Sequence, residues 1–262
     1  MPTRVRQPAV AGIFYPADAG QLADAVDRLV ATGRGEPRRA KALIAPHAGL
    51  DYSGPTAGVA LATLERDRDA IERVVLLGPT HYVPIRGLAV PSVEAFETPL
   101  GPVRLDTELR DAALELAQVV VDDRPHDREH SLEVLLPFLQ RTLASFRVLP
   151  LTVGEASPTE VADVLDRVWG DDATRIVASS DLSHYLDYPT AKRRDRATRE
   201  TIERLDAEGL RPEDACGCHA VAGLLAAARR HGLGAHTLDL RNSGDTAGPR
   251  DRVVGYGAWA FG

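Results

Sequence analysis

Runs of apolar residues alternate with segments in which apolar residues recur at helical spacing along most of the chain. Continuous apolar runs are typical of strands covered on both faces, as in the middle of a parallel sheet. They predict strands at residues 42–45, 74–77, 88–90, 119–121, 146–153, 175–178, 236–240 and 253–261. Helical spacing and capping residues together predict helices at residues 22–30, 53–68, 106–117, 132–139, 159–169, 191–207 and 220–228. This alternation predicts a single α/β domain over residues 1–262, with a mostly parallel central sheet flanked by helices.

Local signals predict where several helices begin. Residues 157–160 combine a Ser cap, a Pro at the first helical position and a Glu that can close a capping box. Asp106 suits the N-terminal dipole of the helix that follows it. Pro55, preceded by Ser and Gly, predicts the start of the second helix. Residues 33–39, rich in Gly, Pro and Arg, predict a loop.

The composition restricts the classes of partner and the compartment. A formal net charge of −7 and a pI near 5.6 give no basic field for nucleic acid or anionic lipid, so we expect neither as a partner. The first residues lack the apolar core of about 7–15 residues that a signal peptide needs. No apolar run approaches the roughly 20 residues that span a bilayer. We therefore expect a cytoplasmic protein whose two cysteines, Cys216 and Cys218, are free thiols.

Three of the predicted strands end in titratable residues. His47 follows the strand at 42–45, His81 follows the strand at 74–77, and Asp181 and His184 follow the strand at 175–178. Parallel strands place their carboxyl ends along one edge of the sheet, where open α/β sheets bind ligands. We therefore expect these side chains to lie close together.

Two neutral imidazoles with one anionic ligand leave open positions on a divalent metal ion, as in non-haem iron oxygenases and zinc hydrolases. Cys216 precedes an apolar helix whose dipole is expected to lower the thiol pKa, so it could complete a set with His47 and His81. Asp181 is the competing third ligand, or a partner that orients a ligating imidazole. His184 is placed to act as a general acid or base. The alternative for Cys216 is a small buried apolar residue at a helix start.

Other polar residues have structural interpretations. Cys218 is expected to pack in the core, because the helix turns it roughly 200° away from the preceding cysteine. His126 is expected in a loop and His231 at a helix end. The polar residues 127–131 either cap the next helix or form a wall of the site, and the role of His130 stays open.

Motifs along nearly the whole chain resemble the Memo family, which in prokaryotes is also called AmmeMemoRadiSam system protein B. The matching stretches are VAGIFYP near the start, APHAGLDYSG at 45–54, GPTHYVP at 78–84, ETPLGPVRLD at 97–106, EHSLEVLLPFLQ at 129–140, SSDLSHY at 179–185, CGCH at 216–219 and NSGDTAGPRDRVVGYGAWAF at 242–261.

The resemblance implies a fold similar to the class III extradiol ring-cleaving dioxygenases. It implies metal ligation by His47, His81 and Cys216, with Asp181 and His184 beside them and His184 in the place of the acid/base histidine. The dioxygenases use a carboxylate where this chain has a cysteine. A soft thiolate moves the preference towards copper or zinc as well as iron.

The leading interpretation is a protein that binds Fe(II) or a copper ion, with zinc as an alternative, and has redox or oxygen-dependent activity. A second interpretation is a hydrolase with Cys216 as nucleophile beside His184 and Asp181. A third is a non-catalytic binding or scaffold protein that takes an unknown small molecule or peptide. The prokaryotic family name implies an AMMECR-type protein and a radical SAM protein as partners.

Overall fold

Nine strands in one sheet, with helices on both of its faces, form the centre of the computed structural model, which describes residues 4–33 and 39–262. The strands are β1 (Val5–Arg6), β2 (Ala42–Ala45), β3 (Arg73–Pro79), β4 (Leu88–Val90), β5 (Ala95–Phe96), β6 (Val103–Arg104), β7 (Val119–Val121), β8 (Arg147–Val153), β9 (Thr174–Ser179), β10 (His184–Leu186), β11 (Ala235–Asn242) and β12 (Val253–Phe261). The helices are α1 (Ala19–Ala31), α2 (Leu50–Ala62), α3 (Thr107–Ala113), α4 (Arg124–Asp127), α5 (Leu136–Thr142), α6 (Pro158–Arg167), α7 (Tyr188–Glu203) and α8 (Cys218–Arg230).

The large sheet has a parallel centre and antiparallel margins. Its strand order is β10-β12-β2-β9-β3-β8-β4-β7, and β11 pairs along β12. The four central strands β2, β9, β3 and β8 are parallel, whereas β12 is antiparallel to β2 and β4 is antiparallel to β8. The predicted α/β fold is confirmed: the centre is parallel as expected, and the sheet as a whole is mixed. The short strands β1, β5 and β6 form a separate sheet.

The apolar run in β3 is buried from both sides, as predicted. Val75 and Leu77 belong to the core cluster that includes α6 and α8. Val74 and Leu76 belong to the cluster that includes α1, α2 and α5. Alternate residues of a strand point to opposite faces, so one run of four apolar residues packs against both helical layers.

Helix α2 begins earlier than predicted, at Leu50, so Pro55 lies inside the helix and not at its start. The helix packs closely on α1. A Cβ atom at Gly58 would lie 2.3 Å from the main-chain oxygen of Leu29, so only glycine permits this approach. At the start of α2 no side chain caps the helix, and Leu50 donates its main-chain N–H to Phe14, a contact that local sequence signals do not include.

Other boundaries follow local chemistry. Asp106 caps α3, and Ser157 and Glu160 form the predicted capping box of α6. The predicted strands at 42–45, 88–90, 119–121 and 253–261 have the observed bounds. The pattern missed β1, β5, β6, β10 and α4, all of four residues or fewer. Of the predicted loop at 33–39, residues 34–38 lie outside the described residues. Among the described helices, none has both the length and the apolar character needed to cross a membrane.

Candidate metal site

The carboxyl ends of three neighbouring parallel strands bring the predicted residues to one edge of the sheet. His47 follows β2, Asp181 follows β9 and His81 follows β3, and these strands are adjacent in the order β2-β9-β3. Cys216 reaches the same place from the segment before α8. One ligand atom from each of His47, His81 and Cys216 lies within 4.8 Å of the others. The structure thus brings together the three residues that the sequence analysis nominated as ligands.

Hydrogen bonds fix which nitrogen of His47 is available to a ligand. Its Nδ1 lies 2.7 Å from the Oγ of Ser179, and that hydroxyl donates to the main-chain oxygen of Ser131. Because the hydroxyl proton is committed to Ser131, Nδ1 of His47 donates and Nε2 carries the free lone pair. Burial, and then the nearby histidines His81 and His130, lower the pKa of His47 well below its ordinary value. The imidazole of His47 is therefore neutral at neutral pH and can offer the lone pair of Nε2 to a metal ion.

A buried carboxylate orients the second histidine. Nδ1 of His81 lies 2.8 Å from Oε1 of Glu129, and a carboxylate can only accept, so Nδ1 carries a proton and Nε2 is the ring nitrogen left for a metal ion. Glu129 also accepts main-chain N–H bonds from His81, His130 and Ser131. Burial acts to raise the pKa of Glu129, but the bonds and charge from His81 and the main chain hold this pKa at about 2. This pairing of a carboxylate with an imidazole is the usual support of a metal-ligating histidine.

Cys216 lies just before α8, whose N-cap is Gly217. Burial, and then the carboxylate of Asp181, raise the pKa of the thiol above its ordinary value. This shift is opposite in direction to the predicted lowering by the helix dipole, because burial disfavours the charged thiolate. The neutral thiol accepts the N–H of Asp181 at 3.3 Å and lies 3.4 Å from Nε2 of His47.

The geometry and the chemistry of the three donors suit a metal ion. A nitrogen and a sulfur donor on one tetrahedral ion lie about 3.6 Å apart, which follows from ordinary Zn–N and Zn–S bond lengths. The 3.4 Å between Nε2 of His47 and Sγ of Cys216 is close to that value. The hydrogen bonds of Nδ1 in His47 and His81 leave Nε2 of each ring available to an ion. Two imidazole nitrogens and one sulfur are ligands that suit a soft or borderline divalent ion.

Asp181 supports the site through its main chain and through that of His47. It is 4% exposed, and its Oδ1 accepts the main-chain N–H of His47 at 2.8 Å. Burial raises the pKa of this carboxyl group. Asp181 is absent from the group of three donors within 4.8 Å, so its contacts favour the positioning role over the alternative of third ligand.

His184 is half-buried beside the site. Its Nδ1 donates to the main-chain oxygen of Leu182 at 2.7 Å, so Nε2 is the ring nitrogen left for other partners. In the described part of the chain no hydrogen bond joins its ring to Asp181. A catalytic triad would require Asp181 to orient His184, and this contact is not made. Nε2 of His184 can still take part in proton transfer.

Residues 127–131 form a wall of the site. The ring of His130 stacks on His81, with centroids 4.6 Å apart and an angle of 18°, and lies 5.5 Å from the ring of His47. Its Nδ1 is buried and makes no hydrogen bond within the described structure, although it lies 3.4 Å from Oε1 of Glu129. Of the two interpretations of this segment, the contacts favour the site wall over the helix cap.

The hydroxyl groups that support the site were not predicted from the sequence. Ser179 bridges His47 to Ser131, and Ser131 also donates to the main-chain oxygen of Pro79. No local signal distinguishes these serines from others, since their role depends on which strands are neighbours. Of the two histidines given structural roles, one prediction is confirmed and the other is wrong. His231 ends α8 as expected, but His126 is buried in α4 and bonded to the main chain, not in a loop.

Three exposed tyrosines lie close in sequence to residues of the site. Tyr82 follows His81 and is 50% exposed, Tyr185 follows His184 and is 63% exposed, and Tyr52 is 43% exposed. Tyr185 has a φ of +60°, at the register shift where β10 pairs with β12. A bulge of this kind redirects a side chain, and here it leaves Tyr185 beside His184, with ring centroids 5.6 Å apart.

The cleft beside Cys218 does not contain the donors. A cleft of about 310 Å³ opens between the starts of α6 and α8 and is lined by Ser157, Leu210 and Cys218, among others. None of the three donors lines it. Cys218 itself is 5% exposed and belongs to the core, as predicted. The arrangement of donor atoms, and not cavity size, identifies the candidate site.

Comparisons with known proteins agree with this architecture. A protein from Aquifex aeolicus, named a MEMO1 family protein, is 39% identical over 97% of both chains. A MEMO1 family protein from Nitrosopumilus maritimus is 33% identical over 98% of this chain and 99% of its own. A crystal structure of an uncharacterized Escherichia coli K12 protein covers 85% of this chain and 100% of its own with a TM-score of 0.55, at 15% identity, which shows the fold alone. The model of the family described as Memo-like protein matches residues 6–260, and with these relatives it shows that the chain belongs to this family.

Proposed function

We propose that this protein binds a divalent transition-metal ion through His47, His81 and Cys216 and uses it in redox or oxygen-dependent chemistry. The observation that carries the proposal is the convergence of the three donor atoms within 4.8 Å. Two imidazoles and one thiol favour copper, zinc or iron over magnesium or calcium, which prefer oxygen ligands. Iron and copper are the ions that supply redox chemistry, and zinc would supply only Lewis acidity.

The residues around the donors have defined tasks in this proposal. Ser179 and Glu129 hold the two imidazoles with Nε2 towards the ion. Asp181 holds the main chain of His47 and, through its N–H, the sulfur of Cys216. Nε2 of His184 would accept or deliver a proton at a bound substrate. A cytoplasmic location belongs to the proposal as well, because a reducing compartment keeps Cys216 a free thiol.

The test is the metal content of protein purified without oxygen, measured by mass spectrometry for wild type, His81→Ala and Cys216→Ser. We expect near-stoichiometric iron or copper in wild type and loss of the metal in both variants. His236→Ala and Cys218→Ala are matched controls, because His236 is exposed and Cys218 belongs to the core. Wild type that stays empty after anaerobic reconstitution with Fe(II) and with copper would contradict the proposal.

A second candidate function is recognition of a partner or ligand without catalysis, with the AMMECR-type and radical SAM proteins as partners. The exposed Tyr82 beside His130 and the exposed Tyr185 beside His184 favour it, since aromatic residues are enriched at binding sites. Pull-down with these two proteins, using wild type and His47→Ala, separates the candidates. Binding that survives His47→Ala would indicate a surface that is independent of the metal.

The hydrolase alternative has less support. A cysteine nucleophile needs a thiolate, and burial raises the pKa of the Cys216 thiol. Furthermore, Nδ1 of His184 bonds to Leu182 and not to Asp181. Labelling by a thiol-directed probe at neutral pH, lost in Cys216→Ala, would restore this alternative.

A further inference from the structure

A buried arginine from the start of the chain holds both ends of the turn that carries Glu129. Arg6, in β1, is 6% exposed. Its Nε donates to the main-chain oxygen of His126 at 2.6 Å, and its Nη2 donates to the main-chain oxygen of Glu129 at 2.6 Å. Its Nη1 donates to the carboxylate of Glu133 at 2.7 Å. One planar guanidinium therefore spans residues 126–129 and fixes the separation of their carbonyl groups.

Glu133 completes this contact from the other side. Its carboxylate is fully buried and, besides Arg6, accepts the main-chain N–H of Ala9 at 2.8 Å, that of Val10 at 3.0 Å and the hydroxyl of Tyr15 at 2.6 Å. These bonds attach residues 6–15 to the segment that forms the wall of the site. Four donors, one of them a buried counter-ion, satisfy the lone pairs of this carboxylate, so the buried ion pair is fully hydrogen-bonded.

The same N-terminal segment also contacts the site directly. The ring of Phe14 packs against His130, with centroids 4.8 Å apart. His130 in turn stacks on His81, whose Nδ1 bonds to Glu129. Two routes therefore lead from residues 6–15 to His81, one through the turn at 126–129 and one through stacked rings.

We propose that Arg6 and Glu133 are positioning residues of the metal site, which act through Glu129 to hold Nε2 of His81 towards the ion. The inference rests on the proposed function and deepens it, because the N-terminal segment becomes part of the site. A buried ion pair is by itself weak evidence for stability, and apolar residues of similar volume can replace one without loss. What marks Arg6 is the place of the two main-chain oxygens that it binds, because they lie at the ends of the turn whose Glu129 carboxylate bonds to Nδ1 of His81.

The chain offers a matched control for Arg6. Arg175 is also 6% exposed, and it likewise donates to two main-chain oxygens, of Asp172 and Thr174, and to a carboxylate, that of Asp67. It lies at the start of β9, whereas the site lies beyond the end of that strand. Arg6→Lys and Arg175→Lys each remove a buried guanidinium with three hydrogen bonds and keep its charge, one beside the site and one away from it.

The experiment compares the two variants by two measurements. In metal-free protein, ¹⁵N NMR of the His81 ring reports its tautomer. We expect protonation at Nδ1 in wild type and Arg175→Lys, and a mixture of tautomers in Arg6→Lys. The second measurement is Zn²⁺ affinity by competition with a chromophoric chelator, and we expect a loss of about tenfold or more in Arg6→Lys alone, the size typical of losing support for a ligating histidine.

Equal behaviour of the two variants in both measurements would overturn the inference. If wild type binds no metal, the proposed function fails, while the tautomer of His81 still decides whether Arg6 positions it. If Arg6→Lys does not fold, Glu133→Gln takes its place, since it keeps the side-chain shape and an acceptor oxygen but loses the charge that holds Arg6. An unchanged His81 tautomer in folded Glu133→Gln would equally overturn the inference.

Discussion

Metal binding to this site should release about one proton per ion near pH 8. The thiol of Cys216 is the source, because burial and the carboxylate of Asp181 raise its pKa and keep it protonated. A metal ion binds the thiolate, so the proton must leave. His47 adds none, since burial lowers the pKa of its imidazole well below the ordinary value and the ring is already neutral.

The size of the effect follows from this count. When one proton leaves per bound ion, the apparent affinity rises about tenfold for each pH unit, or about 1.4 kcal/mol, as long as the thiol of the free protein stays protonated. The raised pKa of Cys216 extends this range upwards, beyond the ordinary thiol value. We therefore expect a slope near one between about pH 7.5 and 9. A thiol with its pKa lowered by a helix dipole would instead give a slope near zero over the same range.

Two measurements check this prediction with Zn²⁺, which does not oxidise the thiol. Isothermal titration at pH 8 in two buffers of different ionisation enthalpy gives the number of protons released, and competition with a chelator gives the affinity at each pH. Cys216→Ala is the control and should remove most of the slope. Tight binding of Zn²⁺ by wild type with no proton release would refute the reasoning, because it would mean that Cys216 is a thiolate beforehand or is not a ligand.

Three further predictions concern the support of the site and the fold. Glu129→Gln should weaken Zn²⁺ binding by about 10- to 100-fold, because a neutral amide holds Nδ1 of His81 less firmly; an affinity equal to wild type would show that Glu129 does not orient the ring. Burial raises the pKa of Asp195 to about 6, so this carboxyl group should contribute stability that is fully present below about pH 4 and lost as the pH rises through 6. The free energy of unfolding should fall by about 3 kcal/mol over this range. In Asp195→Asn, the free energy of unfolding measured in urea should change less between pH 4 and about 6 than in wild type. A pH dependence equal to that of wild type would assign it to other groups. Gly58→Ala should destabilise the protein by about 1–3 kcal/mol, since the new methyl group meets the main chain of Leu29, and a urea midpoint equal to that of wild type would mean that α1 and α2 can separate without cost.

Much of the fold could be predicted because its signals are local. The apolar run in β3 and the capping box of α6 each depend on a few consecutive residues, and the structure has both. The histidines His47 and His81 could be found as well, because parallel strands place their carboxyl ends at one edge. The start of α2 could not be predicted, since Gly49 offers no side chain to cap it and Leu50 donates its main-chain N–H to the distant Phe14.

The sequence by itself determined which residues could ligate a metal and that strand ends would gather His47 and His81. Only the tertiary structure decided how these groups are held: Glu129 on one imidazole, Ser179 on the other, and Arg6 behind Glu129. The bond between Arg6 and the turn joins residues more than 120 positions apart in the chain. The raised pKa of the Cys216 thiol also follows from the tertiary structure. The sequence predicts the helix after Cys216, but it does not predict that folding buries the sulfur. Burial and long-range pairing depend on the packing of distant segments, whereas spacing and capping depend on neighbours in the chain.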